Sequence, residues 1–173
     1  MPSERQRLLA ATILAGGLCG SAAVAFHLSI TGLEALFIEP TNITSGHSWI
    51  WWTILFPTIG GLVVGVGLTY FASAAAGSGI PKVKVAYTLR HGRITVRETI
   101  GKFVLCALQI GSGASLGLEV PTVQVCAGVS NMLARLARLG PKNTRRMASV
   151  GMAAGIAAAF NAPIAAVTFT LES

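Results

Sequence analysis

The chain has 173 residues, of which 53% are hydrophobic and only 11% are charged, a balance too apolar for an ordinary soluble domain and typical of a membrane protein. Its net charge of +7 does not indicate nucleic-acid binding, because the Lys and Arg residues are spread over three separate segments of the chain. We find no pairing of a nucleophile with a base, no metal-ligand spacing and no phosphate-binding loop, so we predict neither an enzyme nor a protein with a cofactor.

The apolar runs predict helices that follow one another at residues 8–38, 49–76, 81–89, 94–112, 120–137, 143–160 and 163–172. The first two are long enough to cross a bilayer, for which about 20 apolar residues suffice, and we expect them to be tilted. The fourth and fifth are each too short to cross comfortably. The predicted fold class is therefore all-α, a single transmembrane domain over residues 1–173 that crosses the membrane several times and contains broken and re-entrant helices.

Basic residues predict the orientation in the membrane. They fall at 5–7, 82–102 and 135–146, whereas the segment 39–48 contains neither Lys nor Arg. Segments rich in Lys and Arg stay in the cytoplasm. The N-terminus and both later clusters are therefore predicted to lie inside, and the segment 39–48 to lie outside.

The same distribution of charge implies a re-entrant element. If 82–102 and 135–146 both lie inside, the apolar stretch between them has to enter the membrane and return. A break rich in Gly, at Gly111–Pro121, lies in the middle of that stretch. Non-helical backbone at such depth is tolerated only where it is buried in protein or lines a cavity. The distribution of basic residues and the break at Gly111–Pro121 thus both predict two half-helices that meet inside the membrane, with a binding site where they meet.

Three apolar stretches end at a short break that contains a proline: Gly-Ser-Gly-Ile-Pro at 77–81, Gly-Leu-Glu-Val-Pro at 117–121 and Asn-Ala-Pro at 161–163. Proline is favoured in the first turn of a helix, so each break predicts a new helix start, although 161–163 also fits a kink in one span. A helix that starts inside a membrane points unpaired N–H groups and the positive end of its dipole at whatever lies there. Several such ends would form an anion site without a buried full positive charge.

Two of the breaks carry groups suited to such a site. Ser78 offers a hydroxyl, and Gly79 and Ile80 offer backbone N–H groups, although an ordinary Ser N-cap explains the same pattern. Glu119 is the one acidic residue of the apolar stretch 103–134. The helix dipole stabilises such a carboxylate by about 0.3–1 kcal/mol, less than the few kcal/mol that a charge at depth costs. A carboxylate at the mouth of an anion site would instead compete with the anion when charged and leave when protonated, which makes permeation depend on pH.

Small residues inside the helices are interpreted as packing positions. Groups of glycines at 16–20, 60–65 and 151–155 would let helices approach backbone to backbone in lipid. The cysteines are odd in number and lack metal-ligand spacing, so we interpret them as small buried side chains. They are Cys19, Cys106 and Cys126.

Three longer motifs occur in order along the chain: Gly-Ser-Gly-Ile-Pro at 77–81, Gly-Ala-Ser-Leu-Gly-Leu-Glu-Val-Pro-Thr-Val-Gln at 113–124, and Gly-Met-Ala-Ala-Gly-Ile-Ala-Ala-Ala-Phe-Asn-Ala-Pro-Ile-Ala at 151–165. In order and spacing they resemble the CLC family of chloride channels and proton-coupled chloride transporters. The resemblance extends from about Leu8 to the end of the chain. It implies a subunit of two inverted halves, of which this chain corresponds to the first inverted repeat.

The same resemblance implies roles for individual residues. The Ser78 hydroxyl would coordinate chloride, and Glu119 would be the gating residue. The backbone that would face the anion is that of Gly79, Ile80, Val120 and Pro121. We therefore expect transmembrane chloride transport with voltage-gated channel activity, in the bilayer of the cell membrane, by a homodimer or by this half together with a complementary second half.

Three positions depart from the family pattern. Leu118 replaces a residue that is often charged. Val120 stands where the family usually has Gly between the gating Glu and the Pro. Ser173 follows Glu172 at the position that matches the internal proton-transfer glutamate, which favours passive conduction over exchange.

Because residues 1–173 do not contain the family's second half, a second hypothesis is kept. It is a degenerate or truncated half that does not transport alone and only associates with a complete partner. A third hypothesis is that the pathway selects another anion, such as fluoride or nitrate.

Overall fold

The computed structural model describes residues 4–37, 48–70, 77, 83, 85 and 94–172. Within these ranges the secondary structure is helical, without strands, which confirms the all-α prediction. The helices are α1 (Glu4–Phe37), α2 (Ser48–Tyr70), α3 (Val96–Gly111), α4 (Glu119–Leu136), α5 (Pro141–Phe160) and α6 (Pro163–Glu172). Their described ends lie close to the predicted ones, except that the predicted end of the second helix at 76 lies outside the described residues. Of the short helix predicted at 81–89 only Val83 and Val85 are described, and both are helical.

α1 and α2 are long and apolar enough to cross a membrane. At 1.5 Å per residue, the 34 residues of α1 span about 51 Å and the 23 residues of α2 about 35 Å, against a hydrocarbon core of about 30 Å. Only 17% and 11% of their most apolar windows are buried in the protein, and side chains such as Ile13 and Trp51 are 77% and 76% exposed. Such surfaces suit contact with lipid rather than with water.

The packing centres on α4, whose residues 121–128 are all buried. On one side α4 packs with α5 through Val123 and Met152. Near its C-terminal end it packs against α1 through Ala134 and Ala15. The helix that begins at the Glu119 break is thus held between neighbours along its length, which fixes the position of its first turn.

Glycines of α5 bring its backbone directly against α4. A Cβ atom added at Gly151 would lie 2.5 Å from the carbonyl oxygen of Cys126, and one added at Gly155 would lie 2.7 Å from the Cα atom of Val123. These approaches are too close for any larger residue, so the packing interpretation is confirmed for this pair. Gly60 of α2 lies against a side chain, since an added Cβ would overlap that of Ser112, whereas no atom lies within 4 Å of a Cβ added at Gly65, where the packing prediction does not hold among the described residues.

The glycines of α1 behave differently. No atom lies within 4 Å of a Cβ added at Gly16, Gly17 or Gly20, so within the described part of the chain the packing prediction is wrong for them. The buried stripe of α1 runs instead through Ala15 and Cys19, one helical turn apart. The glycines occupy neighbouring positions that do not meet another of the described helices.

The start of α3 lies beside the end of α4. The Ile94 N–H donates to Oδ1 of Asn131 at 3.3 Å, and the Ile94 carbonyl accepts from Nη2 of Arg135 at 2.9 Å. α3 and α4 therefore form an antiparallel hairpin that is open at this end and turns at residues 112–118. This is the path that the charge distribution predicts, in which the apolar stretch goes out and comes back to the same end.

The N-terminus lies at that end too. Oε1 of Glu4, the first residue of α1, accepts a hydrogen bond from Nδ2 of Asn143 at 2.8 Å, and Asn143 belongs to the first turn of α5. The beginning of α1 and the basic segment 135–146 therefore share one end of the helix bundle, as the sequence predicts. The break at 112–118 is at the opposite end of the hairpin.

Two of the three cysteines join α1 to α4. Cys19 and Cys126 are fully buried, and each thiol donates to the other's carbonyl oxygen, at 3.3 Å and 3.6 Å. Cys106 is only partly buried. The interpretation of the cysteines as small core side chains is thus confirmed for Cys19 and Cys126.

Candidate functional site at the helix breaks

The chain leaves α3 through a tight turn. The Ser112 N–H donates to the Leu108 carbonyl and the Gly113 N–H to the Ile110 carbonyl, each at 2.9 Å. Gly113 has a φ of +97°, a conformation that residues with a Cβ rarely adopt. A residue without a side chain is therefore needed here to end α3 and begin the non-helical segment 112–118.

α4 starts at Glu119 with its first N–H groups unpaired within the helix. The Thr122 N–H donates to the Leu118 carbonyl at 3.3 Å, and the Thr122 hydroxyl donates to the same oxygen at 2.7 Å. Helix geometry leaves the N–H groups of Glu119 and Val120 without an intrahelical acceptor, and Pro121 has no N–H. This end of α4 therefore presents two donors and the positive end of the helix dipole, next to a carboxylate.

The Glu119 side chain folds back over the preceding segment. A Cβ atom added at Gly117 would overlap Oε2 of Glu119, so the carboxylate occupies the space that the missing side chain leaves. Glu119 is half-buried and Gly117 is exposed. The carboxylate therefore lies against the segment that precedes α4.

Of the first break, the structure describes only Gly77. Its φ is +89°, and its carbonyl oxygen accepts a hydrogen bond from Nζ of Lys102 at 2.7 Å. The predicted anion-binding residues Ser78, Gly79 and Ile80 lie outside the described residues. Whether they meet Glu119 stays a prediction, although the residue that precedes Ser78 lies against α3.

Lys102 is the feature that the sequence interpretation missed. It was grouped with the basic residues of 82–102, but its side chain is only 7% exposed. A buried lysine therefore lies next to the first break, which the sequence analysis did not predict. The helical period could have revealed it, since Lys102 lies three residues after Thr99 and eight before Ile110, which are both buried on the same helix.

The third break separates two helices. α5 ends at Phe160, Asn161 adopts the left-handed conformation with φ 52° and ψ 33°, and α6 begins at Pro163. A residue in that conformation ends an α-helix, so the prediction of a helix start at Pro163 is confirmed and the single kinked span is not observed.

Gln124 lies a little over one turn beyond Glu119 on α4. Its side chain is 2% exposed, and its Oε1 atom has no hydrogen-bond partner in the described structure. An unpaired buried acceptor costs free energy, so α4 carries a buried polar atom that the described part of the chain does not compensate.

Interrupted helices beside long apolar ones are typical of membrane channels and transporters. The family model described as voltage gated chloride channel matches residues 60–173, and the chain belongs to this family, the CLC family. Its fold is accordingly that of a CLC-type fragment, as predicted from the three motifs.

Several relatives are similar over most of this chain. It is 33% identical over 169 residues to "H(+)/Cl(-) exchange transporter ClcA" of Citrobacter koseri, which covers 95% of this chain and 35% of that protein. It is 33% identical over 127 residues to "Putative chloride channel protein ClcB-like" of Ralstonia nicotianae, over 70% of this chain and 30% of that protein. The chain thus spans about a third of the length of these relatives.

Solved structures show the same fold. A slow cyanobacterial Cl⁻/H⁺ antiporter superposes with a TM-score of 0.80 at 27% identity, over 94% of this chain and 39% of that one. A eukaryotic CLC transporter superposes with a TM-score of 0.79 at 22% identity, over 96% and 33% of the two chains. The second likeness concerns the fold alone.

Proposed function

We propose that this chain forms the first half of a CLC-type chloride pathway, in which Glu119 gates access to an anion held at helix N-termini. The observation that carries the proposal is the start of α4. There the N–H groups of Glu119 and Val120, which have no acceptor within the helix, lie beside a carboxylate that folds over Gly117. The names of relatives, two of which refer to chloride, support chloride as the anion.

The proposed chloride ligands come from two breaks. The Ser78 hydroxyl and the backbone of Gly79 and Ile80 would bind from the first, and the backbone of Val120 and Pro121 would face the ion from the second. An α-helix N-terminus acts like roughly half a positive charge, so two converging ends would offset much of the dehydration of one chloride.

The proposed gate works by competition. Charged Glu119 is attracted to the same helix end as the anion and excludes it, whereas the protonated side chain is released. Chloride flux should therefore rise as the pH falls. Glu119→Gln imitates the protonated form, so it should give high flux at every pH.

Flux from liposomes that contain the purified chain tests this function. We expect Ser78→Ala to reduce chloride efflux at least tenfold and Glu119→Gln to abolish its pH dependence. Glu4→Gln is the matched control, because Glu4 is exposed at the opposite end of the hairpin from the break and its replacement keeps an acceptor for Asn143. Unchanged efflux in Ser78→Ala, or a pH response retained in Glu119→Gln, contradicts the proposed site.

The mode of transport is proposed to be passive conduction. Ser173 stands where the resemblance expects the internal proton-transfer glutamate, although several relatives bear the name of an exchanger and a similar solved structure is that of an antiporter. A proton gradient drives chloride uphill in an exchanger and does not do so in a channel. Chloride accumulation against its own gradient after an imposed pH step would therefore refute conduction.

A second candidate function is a half that does not transport alone. The observation in its favour is that the chain spans only about a third of the length of the relatives that it matches. No chloride flux at any pH, together with co-purification with a full-length relative, would select this alternative. Restored flux on mixing the two chains would identify a complementary second half as the partner.

The proposed setting is the cell membrane with the N-terminus in the cytoplasm, and the proposed assembly is a homodimer. A single-cysteine variant, Arg5→Cys, made after replacement of the three natural cysteines, tests the orientation. A membrane-impermeant maleimide should label it in inside-out vesicles and not in intact cells. Chemical cross-linking of the reconstituted chain tests the dimer.

A further inference from the structure

An apolar cavity lies between α2 and the first half of α3. Its volume is about 590 Å³, within the range of about 300–1,000 Å³ that is typical of small-molecule sites. The described residues that line it are Gly67 of α2 and residues of α3 between 96 and 105. Neither Gly77 nor any residue of 112–118 belongs to the lining, so the cavity is separate from the candidate anion site.

Glycine on each helix contributes to the space. Gly67 and Gly101 both line the cavity, and neither has a side chain that could fill it. A Cβ atom added at Gly67 would lie 2.7 Å from Cδ2 of Leu105, so α2 and α3 are in close contact at this point. The cavity is therefore a gap beside a tight contact and not a general separation of the two helices.

The wall that α3 contributes is open to the surroundings of the bundle. Val96, Ile100 and Val104 follow one another at intervals of about one helical turn. All three line the cavity and are 38%, 57% and 52% exposed. Apolar side chains that a membrane protein exposes within the bilayer contact lipid tails, so an acyl chain has access to this wall.

A basic residue lies at one end of the cavity. Arg97 is in the first turn of α3 and is exposed, and it belongs to the lining. Val104 follows seven residues later, which places it about 10 Å further along the helix. The first turn of α3 lies at the end of the bundle that carries the basic segment 135–146, since Nη2 of Arg135 donates to the Ile94 carbonyl.

We propose that this cavity binds one anionic phospholipid, with an acyl chain along the apolar wall and the phosphate beside Arg97. The lipid has the same order of groups as the cavity, a charge at one end and an apolar chain that extends from it. Basic pockets between membrane helices bind anionic headgroups, and the methylenes of an Arg side chain can lie along an apolar wall while the guanidinium stays at headgroup level.

Charge favours a lipid over a protein occupant. An anionic lipid supplies a counter-charge for Arg97, whereas an apolar helix of a second copy would cover the guanidinium without one. The inference does not depend on chloride or on Glu119, because no residue of the proposed anion site takes part.

Native mass spectrometry of the delipidated chain in nonionic detergent tests the proposal by counting bound lipids during a titration. The probes are phosphatidylglycerol and phosphatidylcholine with identical acyl chains, so that only the headgroup differs. We expect the unaltered chain to bind phosphatidylglycerol more tightly. Glycerol 3-phosphate, which has the phosphate without the chains, should not displace it at equal concentration.

Three variants separate the headgroup from the acyl chain. One Arg beside anionic lipid contributes about 1 kcal/mol, so Arg97→Gln should weaken phosphatidylglycerol about fivefold and leave phosphatidylcholine unchanged. Gly101→Leu places a side chain at a lining position and should weaken both lipids. Arg7→Gln is the matched control, because Arg7 is an exposed arginine of α1 that does not line the cavity, and it should alter neither.

Each contrary result overturns a stated part of the proposal. Equal affinity for the two lipids, or a preference that Arg97→Gln retains, refutes the role of Arg97. Lipid binding unchanged in Gly101→Leu, or displacement by glycerol 3-phosphate, refutes the cavity as the site of the acyl chain. A dimer that disappears in Gly101→Leu while lipid binding persists would show a second copy in the cavity instead. Should Gly101→Leu fail to fold, Val104→Asn makes the same wall polar, and unchanged binding of both lipids in that variant refutes the cavity.

Discussion

Gly151 of α5 lies against the backbone of α4, and the Gly151→Ala variant tests whether this contact holds the candidate site in place. The added Cβ atom would lie 2.5 Å from the Cys126 carbonyl oxygen, 2.7 Å from the Ala127 Cα atom and 2.7 Å from the Ser130 Cβ atom. All three belong to α4, and two are backbone atoms, so no side chain can rotate away. The two helices would have to separate.

The expected loss of stability follows from opposing terms. Inserting a methyl group into a close-packed contact costs about 1–3 kcal/mol. Separation would also strain the buried hydrogen bond from Ser130 Oγ to the Met147 carbonyl, now 2.7 Å long, and such a bond contributes about 0.5–1.5 kcal/mol. Ala is about 1 kcal/mol better than Gly in a helix. The net expectation is a loss of about 1–3 kcal/mol in the free energy of unfolding.

Thermal unfolding in detergent micelles, followed by the helical circular dichroism signal, measures this loss. At about 2–4 °C per kcal/mol for a chain of this size, the Tm of Gly151→Ala should fall by several degrees. Gly16→Ala is the matched control on α1, where no atom lies within 4 Å of the added Cβ, and its Tm should be unchanged or slightly higher. The reasoning is refuted if Gly151→Ala is as stable as the unaltered chain, or if both variants lose stability equally.

Two further changes test the break and the hairpin. A Cβ atom added by Gly117→Ala would overlap Oε2 of Glu119, so the carboxylate has to move. Chloride efflux from liposomes should then become less sensitive to pH, and a pH profile identical to that of the unaltered chain contradicts this expectation. Asn131→Leu removes the acceptor of the buried Ile94 N–H, which should lower the free energy of unfolding by about 1–3 kcal/mol. An unaltered denaturant midpoint would show that this bond does not stabilise the open end of the hairpin.

Local signals predicted the helices and their breaks with good accuracy. The expected helix at 163–172 coincides with α6, because a left-handed Asn followed by a Pro in the first turn terminates one helix and starts another through the backbone alone. The hairpin of α3 and α4 was also predicted, since it follows from charge at both ends of an apolar stretch and a break in its middle. These features depend on neighbours along the chain.

The candidate site was predicted only in part. Glu119, Val120 and Pro121 lie at a helix N-terminus as the motif indicates, whereas Ser78, Gly79 and Ile80 remain predictions. The fold-back of Glu119 over Gly117 could not be foreseen, because it depends on the conformation of the whole segment 112–118. The family resemblance supplied roles for these residues without supplying their geometry.

The sequence by itself determined the apolar helices, the positions of their breaks and the family, since each of these is written in composition, spacing and local backbone preference. Only the tertiary structure decided which residues are buried. Gly16 and Gly151 occupy similar patterns of small residues, yet one is open and the other touches α4. Lys102 looked like a member of a basic cluster and lies inside the bundle. The physical reason is that burial depends on which helix lies opposite a given face, and that partner comes from a distant part of the chain.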